Sequence, residues 1–165
     1  MNHRRSYFIL PILCLVLAVF SGCKEEDDTS YKVPRLMVET RGVSYGGMIG
    51  ENAVLPVSGT KIAVDKEPVV TEFDIYNIEM VKVDLGLAIM LEVSERGERS
   101  LYRTGVTHKG ARVVLMINGN AIGASRIDET RPRGTFYTFV ELPDDELGQF
   151  VLDVKESIAK IQAAR

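Results

Sequence analysis

Apolar and polar residues alternate along this chain with a period that changes, and the changes mark its elements. From Val33 to Arg41 (VPRLMVETR), Leu36, Val38 and Thr40 alternate with Arg35, Met37 and Glu39. That two-residue period predicts a half-buried strand started after Pro34. Gly42 to Gly50 (GVSYGGMIG) is glycine-rich and reads as an irregular loop. Ala53 to Val57 and Lys61 to Asp65 read as a strand pair broken at Ser58-Gly59. Thr71 to Asp74 suits one helical turn, and Ile78 to Val83 a strand. Leu87 to Val93 (LAIMLEV) is short and nearly all apolar, which predicts a central strand covered on both faces.

Ser94 can cap the next element, with Glu95 in its first turn. The helix that follows offers Leu101, Tyr102 and Val106 as a buried stripe, is weakened by Gly97 and Gly105, and stops at His108-Lys109-Gly110. The strongest local signal comes next. Ala111 to Ile117 and Ala121 to Ile127 flank Asn118-Gly119, the dipeptide that tolerates positive φ at both centres of a type I′ hairpin turn. Thr130 to Gly134 connects to a strand at Thr135 to Leu142, where Phe136 and Thr138 alternate with Tyr137 and Phe139 and one aromatic pair is expected to face the core. Pro143 and three acids open a last helix whose Leu147, Val151, Val154, Ile158 and Ile161 recur at helical spacing. The predicted class is α+β: a mainly antiparallel sheet with two amphipathic helices packed on one face.

The N-terminal segment has a different character. Arg4 and Arg5 precede an uncharged run from Tyr7 to Phe20, about the length of a signal-peptide core and too short to span a bilayer. Its ending, Phe20-Ser21-Gly22-Cys23, resembles the bacterial lipoprotein signal, although Phe20 stands where an aliphatic residue is usual. That resemblance implies cleavage before Cys23 and a diacylglycerol on its thiol, so residues 1–22 are a signal peptide and residues 23–32 an acidic tether (KEEDDTSY within it). Lys24, rather than Asp, follows the cysteine, which by the enterobacterial sorting rule favours the outer membrane, facing the periplasm. Residues 33–165 then form a single domain.

Composition narrows the chemistry. The chain has 165 residues, 20 basic and 23 acidic, for a net charge of −3, and removal of residues 1–22 leaves 18 basic against 23 acidic. A nucleic-acid partner is not expected, because a phosphate backbone demands a basic protein. With Cys14 in the signal and Cys23 acylated, no thiol remains for a metal or a nucleophile. His108 is then the one remaining histidine, at a helix end, and no HExxH spacing accompanies it. The acids of the tether and Asp144-Asp145 do not follow the alternation of a calcium loop. Gly46-Gly47 and Gly50 are not followed by a helix, no Gly-Lys-Ser/Thr occurs, and Ser58-Gly59 lacks a strand-to-helix elbow. No catalytic residue, metal or cofactor is expected, and the chain is not read as an enzyme.

One family likeness emerges over residues 60–162. Ile62-Ala63-Val64, Glu67-Pro68-Val69-Val70-Thr71 and Asp74-Ile75 resemble the start of the head in the large extracytoplasmic domain of SecD, a membrane subunit that assists protein export. Gly86 to Val93 (GLAIMLEV) is similar to a strand of that head, Arg99 to Gly110 to its helix, and Val113 to Ala124 to its strand–turn–strand. The chain departs from the family in having Ala124-Ser125 where Ala-Pro is usual, and in lacking transmembrane helices after the signal. The resemblance implies the fold, and an interaction role without the proton-driven motor. The expected partners are the bilayer, through acylated Cys23, and an envelope protein or unfolded peptide. Tyr45, Met48 and Ile49 of the glycine loop and Arg126, Arg131 and Arg133 around the connector are the expected contacts, aromatic and Arg side chains being common interface anchors. The same loop in a small-ligand or glycan-binding domain is the alternative, which calls for a deep apolar pocket.

Overall fold

The computed structural model describes residues 31–40, 43–44, 47–48, 50–127 and 134–164. Tyr31 onward belongs to one compact unit. Its strands are β1 (Pro34–Val38), β2 (Val43–Ser44), β3 (Gly47–Met48), β4 (Gly50–Val54), β5 (Lys61–Asp65), β6 (Ile75–Val83), β7 (Gly86–Val93), β8 (Arg112–Ile117), β9 (Asn120–Arg126) and β10 (Thr135–Thr138). Two helices, α1 (Glu95–Thr107) and α2 (Asp144–Ala163), and a 3-10 turn at Glu72–Asp74 complete it. The class is α+β and every ladder is antiparallel.

Two three-stranded sheets, ordered β1-β8-β9 and β10-β7-β6, meet at a seam. There Gly123 of β9 bridges Val140, and the Glu141 N–H donates to the Ile122 carbonyl at 2.7 Å. Glycine is required at 123 because a Cβ would lie 2.2 Å from the Phe139 carbonyl oxygen. The strand read as Thr135 to Leu142 therefore ends its first ladder at Thr138 and crosses to β9. Phe136 and Thr138 are its buried residues while Phe139 is exposed, so a single aromatic faces the core rather than a pair.

The main core lies between the inner face of both sheets and the helices. Leu36, Ile78, Ile89, Leu91, Val113, Leu115 and Phe136 meet Leu147, Val151, Val154 and Ile158 of α2, with Leu101 of α1 packed against them. Alternate residues of a strand point to opposite faces, and on the outer face Val114, Met116 and Met37 form a second cluster with Ala53, Leu55, Ile62 and Val64. The β4–β5 hairpin thus covers one half of the sheet system. It is held beside β1 by the Glu39–Val64 bridge and a Thr40 N–H to Ala63 carbonyl bond of 2.8 Å.

This arrangement corrects two strand readings. β8, with Val113 through Ile117 all buried, is the strand covered on both faces, whereas β7 leaves Leu87, Met90 and Glu92 half-buried. β1 buries Leu36, Met37 and Val38 together instead of one face alone, for the same reason. β6 begins at Ile75, three residues before its predicted start, with a bulge between Ile75 and Asn77. β4 runs Gly50–Val54, so Leu55 to Thr60 is the turn, closed by Leu55 N–H to Thr60 carbonyl at 3.0 Å. Within the glycine loop Val43–Ser44 pairs with Gly47–Met48, a short ladder where irregular backbone was expected. The Asn118-Gly119 turn has φ of 50° and 82°, the two positive values a type I′ turn needs.

Candidate interaction surface

Of the residues expected to contact a partner, Cys23, Tyr45, Ile49, Arg131 and Arg133 lie outside the described residues. Met48 ends β3. Arg126 is the last residue of β9, exposed, and stands opposite Arg112 of β8.

Helix α1 is seated differently from the sequence expectation. Ser94 caps it as predicted, its Oγ accepting the Gly97 N–H at 3.0 Å. The buried face, however, consists of Gly97, Thr104 and Gly105, with Leu101 half-buried. The glycines that weaken a helix by propensity are what allow this one to approach closely. A Cβ on Gly97 would stand 3.1 Å from Val93, and one on Gly105 would touch Ile127 at 3.6 Å. Tyr102 and Val106, expected in the stripe, face solvent at 73% and 47% exposure. Helical geometry places them beside Arg99 and Arg103, three or four positions apart on one outward face.

The N-terminus of α1 is fixed by Asp74, a buried carboxylate that the sequence reading treated only as part of a turn. It accepts from Ser94 Oγ at 2.7 Å, from Thr71 Oγ1 at 2.9 Å, and from Arg96 Nε and Nη2, each at 2.8 Å. Burial pushes its pKa up, but the hydrogen bonds from Arg96, Ser94 and Thr71 outweigh that and hold it below the ordinary 3.8. The one sequence signal was the spacing Thr71-x-x-Asp74, with Ser94 and Arg96 twenty residues on, which is too generic to single out.

Further ion pairs tie the edges. Arg112 makes a two-pronged contact to Glu39 at 2.7 and 3.1 Å, and Arg35 one to Glu72 at 2.7 and 2.8 Å. Hydrogen bonding to Arg35 outweighs burial at Glu72, so its pKa is lowered. Where the compact unit begins, the Lys32 N–H donates to Ser157 Oγ at 3.0 Å, Lys32 Nζ reaches Asp153 at 2.7 Å, and the Val33 N–H donates to Asn118 Oδ1 at 2.8 Å. The chain therefore enters this unit at the Asn118-Gly119 end of β8.

A depression of about 440 Å3 is lined by Val57, Ser58, Glu141, Leu142 and Pro143. It is shallow and open, and the Glu141 carboxylate at its wall is occupied by the Val57 and Ser58 N–H groups at 2.8 and 2.9 Å. Hydrogen bonding from Ser58 lowers the pKa of Glu141. That is not the deep apolar pocket a small-ligand site calls for. His108, at the end of α1, is exposed and its Nδ1 lies 2.8 Å from Thr107 Oγ1. Among the described residues no three His, Cys, Asp or Glu side chains group so as to hold a metal, and no helix is long and apolar enough to cross a membrane.

No family model and no curated protein matches the chain. Two solved structures are similar to it. One is described as the crystal structure of SecDF in a super-membrane-facing form, at 12% identity and a TM-score of 0.55, covering 76% of this chain and 19% of that one. The other, described as a membrane component SecDF that enhances protein export, is 11% identical with a TM-score of 0.54, covering 76% of this chain and 62% of that one. The chain spans less than two thirds of either. At this identity the likeness shows the fold alone, and that fold is SecD-like.

Proposed function

We propose that this chain is a lipoprotein of the bacterial cell envelope, held by acylated Cys23 in the outer membrane and facing the periplasm. Its SecD-head-like domain binds a protein or unfolded peptide, without catalysing a reaction, in service of protein export. The observation that carries this reading is the structural likeness. Three quarters of the chain shares its fold with part of a component said to enhance export. The uncharged run from Tyr7 to Phe20 followed by Ser21-Gly22-Cys23 supports the anchor, and a second acyl chain would make it stable where one is marginal. Interaction rather than catalysis is favoured because the buried or half-buried carboxylates Asp74, Glu39 and Glu72 are each tied to an arginine, Arg96, Arg112 and Arg35.

Two measurements test the reading. Metabolic labelling with an alkyne fatty acid should mark the wild type and not Cys23→Ser, which should leave the membrane fraction while staying folded. A photoreactive residue at position 126, in cells, should trap polypeptide adducts absent from an unrelated lipoprotein. A labelled protein that traps nothing would leave the anchor standing and remove the interaction role.

A further inference from the structure

Charge is strongly segregated in this acidic chain. From Arg99 to Ile127 there are five basic side chains, Arg99, Arg103, Lys109, Arg112 and Arg126, and no Asp or Glu. The other 136 residues therefore hold 15 basic and 23 acidic ones. The next six, Asp128 to Arg133, add two acids and two bases and leave the balance unchanged.

The fold brings the C-terminal part of α1 to the Arg112–Arg126 end of the β8–β9 pair. Gly105 of α1 packs against Ile127, and the Ile127 N–H donates to the Ala111 carbonyl at 3.1 Å. Arg112 and Arg126 face each other across β8 and β9. Not all are equally open to a ligand, since Arg112 is engaged by Glu39 and Arg96, at the far end of α1, by Asp74. Among the described residues Arg99 pairs only with Glu95, at 3.4 Å with both side chains largely exposed, a contact of the kind that contributes little and exchanges readily. Arg103 is exposed, and Tyr102 and Val106 lie between and beside these cations on the same helical face. An aromatic and an aliphatic set among arginines suit a partner that supplies carboxylates and apolar side chains together.

The position of the chain's entrance bears on the choice between a polypeptide and a lipid surface. The chain reaches the domain at Val33, hydrogen-bonded to Asn118, and the Arg112–Arg126 pair lies at the other end of β8. Six strand residues separate them, roughly 20 Å. On the proposed anchoring, the tether joins the domain at its Asn118 end, away from the Arg112–Arg126 end.

We infer that the outward face of α1 docks an acidic segment of another polypeptide. Arg99 and Arg103 pair with its carboxylates, and Tyr102 and Val106 take its apolar side chains. The inference rests on the proposed peptide-binding role and names the chemistry of that partner.

Fluorescence anisotropy on the chain from Lys24 onward tests it, using two labelled peptides that differ only in Glu against Gln at alternate positions and share two leucines. The Glu peptide should bind at least about tenfold more tightly than the Gln peptide, with the margin closing as salt is raised. Arg99→Glu with Arg103→Glu should weaken the Glu peptide at least about tenfold, and Tyr102→Ala about threefold, with circular dichroism unchanged. Lys61→Glu, an exposed side chain of β5, should have no effect. Equal binding of both peptides, insensitive to Arg99→Glu/Arg103→Glu, overturns the acidic-partner inference while leaving the peptide-binding role intact. Failure of both peptides overturns both. Retention on phosphatidylcholine–phosphatidylglycerol vesicles that the double variant abolishes, without peptide binding, gives the face to lipid and overturns the inference as well.

Discussion

The half of the sheet system built on β8 and the half built on β7 share an inner face and differ on the outer one. Around β8, the β4–β5 hairpin seals Val114 and Met116 beneath Leu55, Ile62 and Val64. Around β7 the outer row of Glu79, Met90 and Tyr137 is only half-buried, and the second cluster stops short of it. The same alternation in sequence therefore has two energetic meanings. Outward residues of the first half carry stability through apolar burial, whereas those of the second contribute less of it. β7 is as apolar as β8, so hydrophobicity alone did not separate them. What separates them is a hairpin some fifty residues upstream.

The comparison breaks most sharply at the seam. Gly123→Ala drives a Cβ against the Phe139 carbonyl, so the β9 crossover must shift; we expect a loss of about 3 kcal/mol or more in urea unfolding. The two outward methionines are the direct contrast. Met116→Ala, 9% exposed within the second cluster, should cost about 2–3 kcal/mol, and Met90→Ala, half-buried on the same outer side, less than about 1. Equal losses would mean that the second half is covered too.

Asp74 probes the junction of the β7 half with α1. Asp74→Asn should cost about 2 kcal/mol, because it weakens hydrogen bonds made to an ionised group. The folded pKa of Asp74 is depressed, so its contribution is fully present above the ordinary carboxylate value near 3.8. It is lost as pH falls from there through the depressed folded value. Urea midpoints taken between neutral pH and about pH 3 should fall less steeply in the Asn variant than in the wild type. The smallest effect belongs to Glu141→Gln, which loosens the Leu55–Thr60 turn at the rim of the first half; about 0.5 kcal/mol is expected, with faster amide exchange at Val57 and Ser58.

Local signals were legible where the cause is local. Asn118-Gly119 gave its turn, Ser94 its cap, and Leu147, Val151, Val154 and Ile158 the buried face of α2. Most of the misreadings have causes distant in sequence. Met37 is buried because β5 lies beside β1, and Val140 leaves its ladder because Gly123 admits it. Tyr102 and Val106 are exposed because two glycines, unfavourable to a helix in isolation, let α1 bury its small-residue side instead. The contact residues chosen from the glycine loop and connector rested on composition. Of these Arg126 ends β9 opposite Arg112, while the exposed arginines of α1 were legible only as helix residues.

The docking of Lys32 and Val33 has a mechanical corollary. β1 runs from the Asn118 end toward the Arg112 end and pairs with β8 at five consecutive positions, Pro34 through Val38. Tension applied through the residues before Tyr31, and resisted by a load gripping the opposite tip, acts along that ladder and shears its hydrogen bonds together instead of peeling them one by one. Under such tension lifetime is set by the unfolding rate rather than by equilibrium stability. The strand nearest the leash would thus serve as its strain relief.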